Sequence, residues 1–573
     1  MTEPEIAQEG GKRASLRTLL MQNLAVSALI FTLLEFWRPF YFLTDDNLNG
    51  GYPLFTGIGW RLAAEKSPFV SDYLFGGNYS LLRDATFFVW HPVYLLSSLL
   101  ANTPAHLWIM EIPAFFFLML ATAGFVCLAC SFRDELSLGL GNGWLTFYAL
   151  SFTYSMIVLT TGSSWLDFLG DHSALPWLAL GIWQKSWHRG LALVTLFSLH
   201  EILGGHPTAT ISNSICLSLF AVGIAFYRRS FLPLFSWGAG SILAVMILSP
   251  LLVPMLRGFS DSVRAEGLAL NSINAHAVPA LLFPFSYFFS TFAVFMPGNY
   301  RFGMTPVYYS TAFVSCAAAW ALVPALLSRA RWRFLEILCL GLALLLAVMI
   351  IRPTWIGEIM LRVPLLRSMR WPFREILQFQ FFLHLFLVLR PRGGSPCFQR
   401  WITLTGSLFF LLPLPYLEAP SFNTNWIDRA LVLSGGERQY WDRVRPLIGP
   451  DGCIAAVADL QLIEARWKDT PFSLLGAYNY PILARVRTVT GYSLTPPRQQ
   501  LYVQVRSPFY LGIYDTGQMN EIFRERPQVK CIVLESLDPL RIVLHSATDP
   551  DIDLTPFIPM DKLPKVEKSV PEE

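Results

Sequence analysis

Residues 19–55 read LLMQNLAVSALIFTLLEFWRPFYFLTDDNLNGGYPLF, a long apolar run that ends at two adjacent aspartates, Asp45 and Asp46. The run from 19 to 43 is longer than the roughly 20 residues that an α-helix needs to cross a bilayer core. It follows several basic residues and has no small-residue cleavage site, which is typical of a retained signal anchor. The sequence therefore predicts a first membrane span that leads directly into a pair of carboxylates.

The composition of the whole chain indicates a membrane protein with several spans. Of its 573 residues, 53% are hydrophobic and only 14% are charged, and the mean hydropathy is +0.44. Soluble domains have about 25% charged residues. Apolar runs predict about eleven membrane-spanning helices, at approximately 19–43, 105–130, 136–161, 173–184, 190–205, 207–226, 231–256, 307–328, 334–351, 371–389 and 401–417. The formal net charge of +3 gives no indication of a nucleic-acid partner.

Basic residues indicate the orientation of these spans. Counted from a cytoplasmic N-terminus, alternate loops carry the basic side chains, and the positive-inside rule assigns such loops to the cytoplasm. The basic residues in these loops are Arg133, Lys185, His188, Arg189, Arg228, Arg229, Arg329, Arg331, Arg333, Arg390, Arg392 and Arg400. The opposite loops carry Asp45, Asp46, Asp72, Asp84, Asp167 and Asp171. The sequence predicts a multi-pass protein of the cell membrane.

The chain divides into four parts by composition. Residues 1–18 are a cytoplasmic tail, and residues 19–417 are the transmembrane domain, with a first external loop at 44–104. Residues 418–555 contain short β-like runs between Pro and Gly turns, which predicts an extracytoplasmic α/β domain. The last part, 556–573, is rich in Pro, Lys and Glu and is expected to be disordered.

Cysteines suggest one covalent link. Cys453 and Cys531 both lie in the predicted extracytoplasmic domain and could form a disulfide in an oxidising compartment. Cys127 and Cys130 form a CxxC pair, but the pair lies inside an apolar helix without a second ligand pair, so buried thiols are the expected state.

Asp45 and Asp46 are the first candidates for chemistry. Two adjacent carboxylates near a low-dielectric boundary do not ionise independently, so one of them can act as a general base near neutral pH. The alternative interpretation is a hydrated loop that only marks the edge of the membrane.

Two further stretches carry acidic and histidine side chains on the same predicted side. In GSSWLDFLGDHSALPW (162–177), Asp171 and His172 can orient an acceptor hydroxyl or contribute to a divalent metal site. In FSLHEILGGHPTAT (197–210), a Gly-Gly break before His206 can turn the imidazole into a cavity. The alternative for His206 is a cap on the next helix.

Arginines are concentrated in the predicted external segment 352–374, against the rule that assigns basic residues to the cytoplasm. Arginine side chains bind phosphate through two parallel hydrogen bonds. A phosphate-bearing lipid is therefore a natural ligand, above all for Arg370 and Arg374. The alternative is an amphipathic helix in the membrane interface whose arginines reach the head groups.

These segments together resemble the GT-C superfamily of integral membrane glycosyltransferases and, more narrowly, the YfhO-type bacterial membrane proteins. The similar segments are DDNLNGGYPLF, GGHPTAT, RSMRWPFRE, GYSLTPPRQQLY and RERPQVKCIVLES. The resemblance implies a sugar that is transferred from a polyprenyl-phosphate carrier to a cell-envelope acceptor, with inversion at the anomeric carbon. Asp45 or Asp46 would be the base and Arg370 and Arg374 would stabilise the departing lipid phosphate. Asp171, His172 and His206 would line the site, and a divalent metal remains open.

Two other classes of protein remain as alternatives. One is a transporter or flippase of lipid-linked sugars, although such proteins often show internal repeats and broken helices, and no repeat is evident. The other is a non-catalytic envelope assembly protein, in which the acidic pair has no chemical role.

Overall fold

The computed structural model describes most of the N-terminal half of the chain and separate parts of the rest. The described residues are 15–43, 47–74, 79–83, 90–260, 322, 325–326, 328, 331–363, 375–390, 442, 445–449, 452–458, 480–483, 485–488, 524, 529–537, 540–546 and 552–553. The terminal parts predicted at 1–18 and 556–573 lie almost entirely outside these residues.

The described part is mainly α-helical, with a few short strands. The helices are α1 (Leu16–Trp37), α2 (Tyr52–Ala63), α3 (Pro92–Ser98), α4 (Trp108–Glu135), α5 (Asn142–Thr153), α6 (Met156–Ser164), α7 (Asp167–Trp183), α8 (Trp187–Gly204), α9 (Pro207–Arg228), α10 (Leu232–Ser260), α11 (Phe334–Ile351), α12 (Thr354–Arg362), α13 (Ile376–Leu389) and α14 (Tyr480–Leu483). The strands are β1 (Val70–Ser71), β2 (Tyr79–Ser80), β3 (Cys453–Ala458), β4 (Val529–Leu537), β5 (Leu540–Ser546) and β6 (Ile552–Asp553).

The prediction of a helical membrane protein agrees with this architecture. Five of the described helices are long and apolar enough to cross a membrane, namely α1, α4, α9, α10 and α11. Several of them expose apolar side chains, as α10 does with Ile242, Met246 and Leu256. An apolar surface of this kind is suited to contact with lipid rather than with water.

Two of the predicted spans have different bounds in the structure. The run at 136–161 is two helices, α5 and α6, because the chain becomes extended at Ser155 (φ −64°, ψ 153°). The neighbouring Tyr154 side chain donates a hydrogen bond to the backbone carbonyl of Ser27 on α1 (2.7 Å). The run at 173–184 belongs to a longer helix, α7, which begins at Asp167. The runs at 307–328 and 401–417 lie wholly or largely outside the described residues.

The core of the bundle is formed by α7 and α13. All residues of α13 are buried, and so are nearly all residues of α7. A helix that is apolar on all sides is normally enclosed by other helices. Here α4, α8 and α9 pack around α7.

Ion pairs hold together one end of the bundle. Glu135, at the end of α4, pairs with Lys185 (3.2 Å) in the α7–α8 loop and with Arg228 (2.9 Å) at the end of α9. At the start of α11, Glu336 pairs with Arg390 (2.8 Å) after α13. Tyr227 and Phe334 stack with ring centroids 6.1 Å apart. This contact joins the ion pairs of Glu135 to the Glu336–Arg390 pair. The loops that carry these basic residues therefore lie at one end, as the charge pattern predicts.

The first loop lies at the other end, in contact with the C-terminal region. Thr488 donates its backbone N–H to the carbonyl of Tyr73 (2.8 Å), and the guanidinium of Arg485 lies 4.7 Å from the ring centroid of Trp60. Backbone bonding continues from this segment into β3, where the N–H of Ile454 donates to the carbonyl of Arg487 (2.9 Å).

The described C-terminal strands form one sheet with the order β3-β4-β5-β6. The β3–β4 pair is parallel and the other two pairs are antiparallel. Cys453 is a free thiol, so the suggested disulfide with Cys531 is not formed. In the backbone register, Cys453 lies opposite Val529 and Cys531 lies opposite Ile454.

We expect Arg390→Met to lower the free energy of unfolding by about 3–5 kcal/mol, because it leaves the carboxylate of Glu336 buried without its partner. Both side chains are fully buried, and Arg390 also donates to the carbonyls of Ala325 and Ser328. The measurement is chemical unfolding in detergent micelles.

Two variants complete this test. The double variant Arg390→Met/Glu336→Leu should recover much of the loss, because an apolar pair replaces an ion pair at little cost. Arg445→Met, in a pair with Asp442 that is about half exposed, should change stability by less than about 1 kcal/mol. Equal losses of unfolding free energy in Arg390→Met and Arg445→Met would contradict the stabilising role of the buried Arg390–Glu336 pair.

Candidate functional site

Three of the seven predicted site residues lie in the described part of the chain. They are Asp171, His172 and His206. The acidic pair Asp45–Asp46 and the arginines Arg370 and Arg374 lie outside the described residues. The described part of the candidate site consists of residues that surround these positions in the sequence and of polar groups at the same end of the bundle.

Asn47, the residue after the acidic pair, is fixed by its side chain. Its Nδ2 lies 2.8–2.9 Å from the carbonyl oxygens of Phe42, Gly162 and Ser163, and its Oδ1 accepts the backbone N–H of Leu166 (2.9 Å). The side chain is 3% exposed. One amide thus binds the first loop to the corner between α6 and α7. The sequence contains no signal for this role, because three of the four partners are more than 100 residues away.

Asp171 has a different environment from the one that the sequence predicts. It lies inside α7 rather than in a loop, and it is fully buried. Its Oδ2 accepts the backbone N–H of His206 (2.5 Å), and its Oδ1 accepts the hydroxyl of Thr210 (2.9 Å). The carboxylate therefore caps the N-terminus of α9, where the helix dipole favours negative charge.

Gly170 permits this close contact. A Cβ at residue 170 would overlap the carbonyl oxygen of Gly204 at the end of α8. Any larger residue would move α7 away from the α8–α9 junction and would lengthen the hydrogen bonds of Asp171. The Gly-Gly break at 204–205 thus serves as a packing surface as well as a helix end.

His172 points away from the partners of Asp171. Its ring lies against Phe152 with centroids 4.1 Å apart, and it is 1% exposed. Consecutive helix residues are rotated by about 100° around the axis, so the two side chains cannot share one small ligand easily. Within the described residues, no group of three or more His, Cys, Asp or Glu side chains could hold a metal ion. The structure gives no support to a metal site at Asp171 and His172.

His206 is the N-cap of α9. Its Nδ1 accepts the backbone N–H of Thr208 (3.2 Å), and the ring stacks on Phe168 at 4.9 Å. Pro207 follows at the first helical position, where a missing N–H has no cost. The capping alternative that the sequence left open is therefore the arrangement in the structure. The same His-Pro pair begins α3, with His91 as the cap.

A buried polar chain connects α8, α9 and α13, and sequence reasoning missed most of it. Asn213 donates from Nδ2 to the Oε1 of Glu201 (2.5 Å), and its Oδ1 accepts the Nε2 of Gln378 (2.6 Å). All three side chains are almost completely buried. Polar groups without access to water must bond to each other, so this chain fixes the positions of three helices.

A second chain links the first loop to the bundle. His91 Nε2 lies 3.0 Å from His200 Nδ1, and His200 Nε2 lies 2.7 Å from the hydroxyl of Ser173. The Nδ1 of His91 accepts the N–H of Val93, so its Nε2 carries the proton and donates to His200. Burial lowers the pKa of His91 to about 4. The first loop is therefore anchored by neutral imidazoles.

Arg352, at one end of the predicted arginine cluster, is not available to a ligand. It is 4% exposed and pairs with Glu375 at 3.5 Å, directly before α13. The pair joins the end of α11 to the start of α13. This arginine therefore has a structural role. Arg362 of the same segment is exposed at the end of α12, and Arg370 and Arg374 lie outside the described residues.

We expect Asp171→Ala to lower the free energy of unfolding by about 2–3 kcal/mol, because the buried N–H of His206 loses its acceptor and the hydroxyl of Thr210 keeps only a longer bond to the carbonyl of His206 (3.2 Å). Thr210→Val removes only one of these bonds and should lower it by about 1 kcal/mol. Chemical unfolding in micelles measures both values. Equal effects of the two substitutions would contradict the capping role of Asp171.

Acid should destabilise the protein through His91. The unfolded side chain titrates near pH 6.5, about 2.5 units above the folded pKa, so the contribution of up to about 3 kcal/mol is complete above pH 6.5 and is lost as the pH falls toward 4. His91→Gln should therefore make the free energy of unfolding less dependent on pH in this window. His188→Gln, at an exposed position, serves as the control and should leave the pH dependence unchanged.

Comparison with known proteins adds no family to this description. No protein-family model matches the chain, and no curated protein matches it. The resemblance to GT-C glycosyltransferases stays a prediction, and the function has to be argued from the residues.

Proposed function

We propose that this protein is a membrane glycosyltransferase that acts on the extracytoplasmic side of the cell membrane. It transfers a sugar from a polyprenyl-phosphate donor to an acceptor in the cell envelope. The acceptor oxygen attacks the anomeric carbon, the bond from that carbon to the phosphate oxygen breaks, and the configuration is inverted. Asp45 or Asp46 takes the proton of the acceptor hydroxyl, and polyprenyl phosphate leaves.

The anchoring of Asn47 is the observation that supports this proposal most. A general base has to be held within hydrogen-bonding distance of the proton that it removes. The buried side-chain amide of Asn47 hydrogen-bonds to the backbone of residues 162–166. These bonds restrict the chain directly after the acidic pair. A loop that only marked the edge of the membrane would not need such a restraint.

The leaving group requires positive charge at the same end of the bundle. In this proposal Arg370 and Arg374 bind the lipid phosphate as negative charge develops on it. Arg374 directly precedes Glu375, whose carboxylate pairs with the buried Arg352. That ion pair fixes the start of α13, the helix that follows the arginine segment in the sequence.

Transport of a lipid-linked sugar is the second candidate. It is favoured by Asp171 and Glu201, two carboxyl groups buried among helices, because intramembrane acids often mark transport pathways. Their hydrogen bonds to α9 argue for a structural role instead. A non-catalytic assembly protein is the third candidate, in which the contact between the C-terminal region and the first loop would present a partner surface.

We expect wild-type protein in nanodiscs to release polyprenyl phosphate from one member of a panel of polyprenyl-phosphate sugars. Asp45→Asn or Asp46→Asn should lower turnover by about 10²–10⁴-fold, the usual contribution of a general base. The matched control is Asp72→Asn, which changes an acid of the same loop that is already paired with Arg61. It should keep most of the activity.

The same panel separates the candidates. Movement of the intact lipid-linked sugar across the membrane without release would favour transport. Binding without release or movement would favour the assembly protein. Full turnover in both Asn variants would exclude the acidic pair as the base.

A further inference from the structure

The turn after α1 is held by two glutamates from different helices. Glu35, near the end of α1, accepts the backbone N–H groups of Phe40 (2.8 Å) and Tyr41 (3.3 Å). Glu111, in the first turn of α4, accepts the N–H of Phe42 (2.9 Å) through Oε1. Three successive backbone donors thus end on two carboxyl groups. Nothing in the sequence pattern singled out this arrangement.

Both carboxyl groups are partly or wholly withdrawn from water. Glu111 is fully buried, and Glu35 is half-buried. A carboxylate only accepts hydrogen bonds, so both groups suit backbone N–H donors. The charged neighbour on the turn is Arg38, whose guanidinium lies 5.7 Å from the ring centroid of Tyr41. The two glutamates therefore supply acceptors to three successive N–H groups at a place with little access to water.

Packing of α1 against α4 does not explain why glutamates occupy positions 35 and 111. The two helices are already joined by the hydroxyls of Ser27 and Thr122, 3.1 Å apart. An apolar pair would join them at least as well, because a carboxyl group loses its hydration when it is buried. What an apolar pair cannot do is accept successive backbone N–H groups. The two glutamates therefore serve to bind the backbone of the turn rather than to join the two helices.

We propose that Glu35 and Glu111 form a clamp that holds the turn at 40–42 and so positions the chain that leads to the acidic segment. Phe42, the last of the three clamped residues, and Leu43 after it are completely buried. On the far side of residues 44–46, Asn47 is fixed by its own four contacts. The glutamates are positioning residues that do not touch substrate. Their effect on turnover rests on the proposed glycosyltransferase function, whereas the clamp itself does not.

The test uses the full-length protein in nanodiscs with Glu111→Leu and Glu111→Gln. A glutamine keeps an acceptor for the backbone N–H of Phe42, whereas a leucine removes it. Glu35→Leu, at a half-buried position, provides the same test if Glu111→Leu does not fold. The matched control is Ser27→Ala, which removes a hydrogen bond between the same two helices but leaves the turn intact.

Two readouts are compared. Hydrogen–deuterium exchange of the amides at 40–43 should become about tenfold faster or more in the leucine variants, and it should stay near wild type in Glu111→Gln and Ser27→Ala. In the polyprenyl-phosphate release assay, the leucine variants should lose about tenfold or more in kcat with little change in KM, and glutamine should restore it.

The outcomes are distinguishable. Unchanged exchange at 40–43 in the leucine variants, or a glutamine variant that behaves like leucine, would overturn the clamp. Faster exchange with unchanged kcat would overturn the positioning role. If wild-type protein releases no polyprenyl phosphate, the proposed function fails, and the exchange result alone still decides whether the clamp exists.

Discussion

A buried polar group in a membrane protein has no water to bond to, and this constraint determines how the helices of the chain fit together. Asp171 illustrates it: its carboxylate lies in the middle of a buried helix and is satisfied only by the N-terminus of α9 and by Thr210. The contact requires α7 to touch the α8–α9 junction, which a glycine at 170 permits. Each buried acid in the described chain thus binds a group that holds a helix or a turn in place.

The general architecture could be predicted from the sequence because it depends on local properties. Long apolar runs predict α1, α4, α9, α10 and α11, and all five appear as helices that can cross a membrane. The alternation of basic loops predicts that the ends of α4, α7 and α9 lie together, and the ion pairs of Glu135 join them. Length and charge are read from consecutive residues, so no tertiary information is needed.

The local details were not predictable in the same way. The stretch around Asp171 looked like a loop because its polar residues interrupt an apolar run, whereas their partners lie in α9 and α5. The break at Ser155 lies inside a continuous apolar run. Asn47, Glu111 and Asn213 carry no sequence signal, because the groups that they bind across the bundle are distant in sequence. Hydrogen-bond partners across helices leave no periodic signal, so only the structure reveals them.

The buried acids also narrow the choice of a base. A base must have an oxygen that can accept the proton of an acceptor hydroxyl, within reach of solvent or substrate. Asp171 has both oxygens engaged and is fully buried, Glu201 is bonded to Asn213, and Glu375 is paired with Arg352. These three acids are thus already used to join helices. Glu35 and Glu111 bind backbone N–H groups, so they too have a structural task. None of these five acids is available as the base. The proposed base, Asp45 or Asp46, lies in sequence between Phe42 and Asn47, which are both held by buried hydrogen bonds.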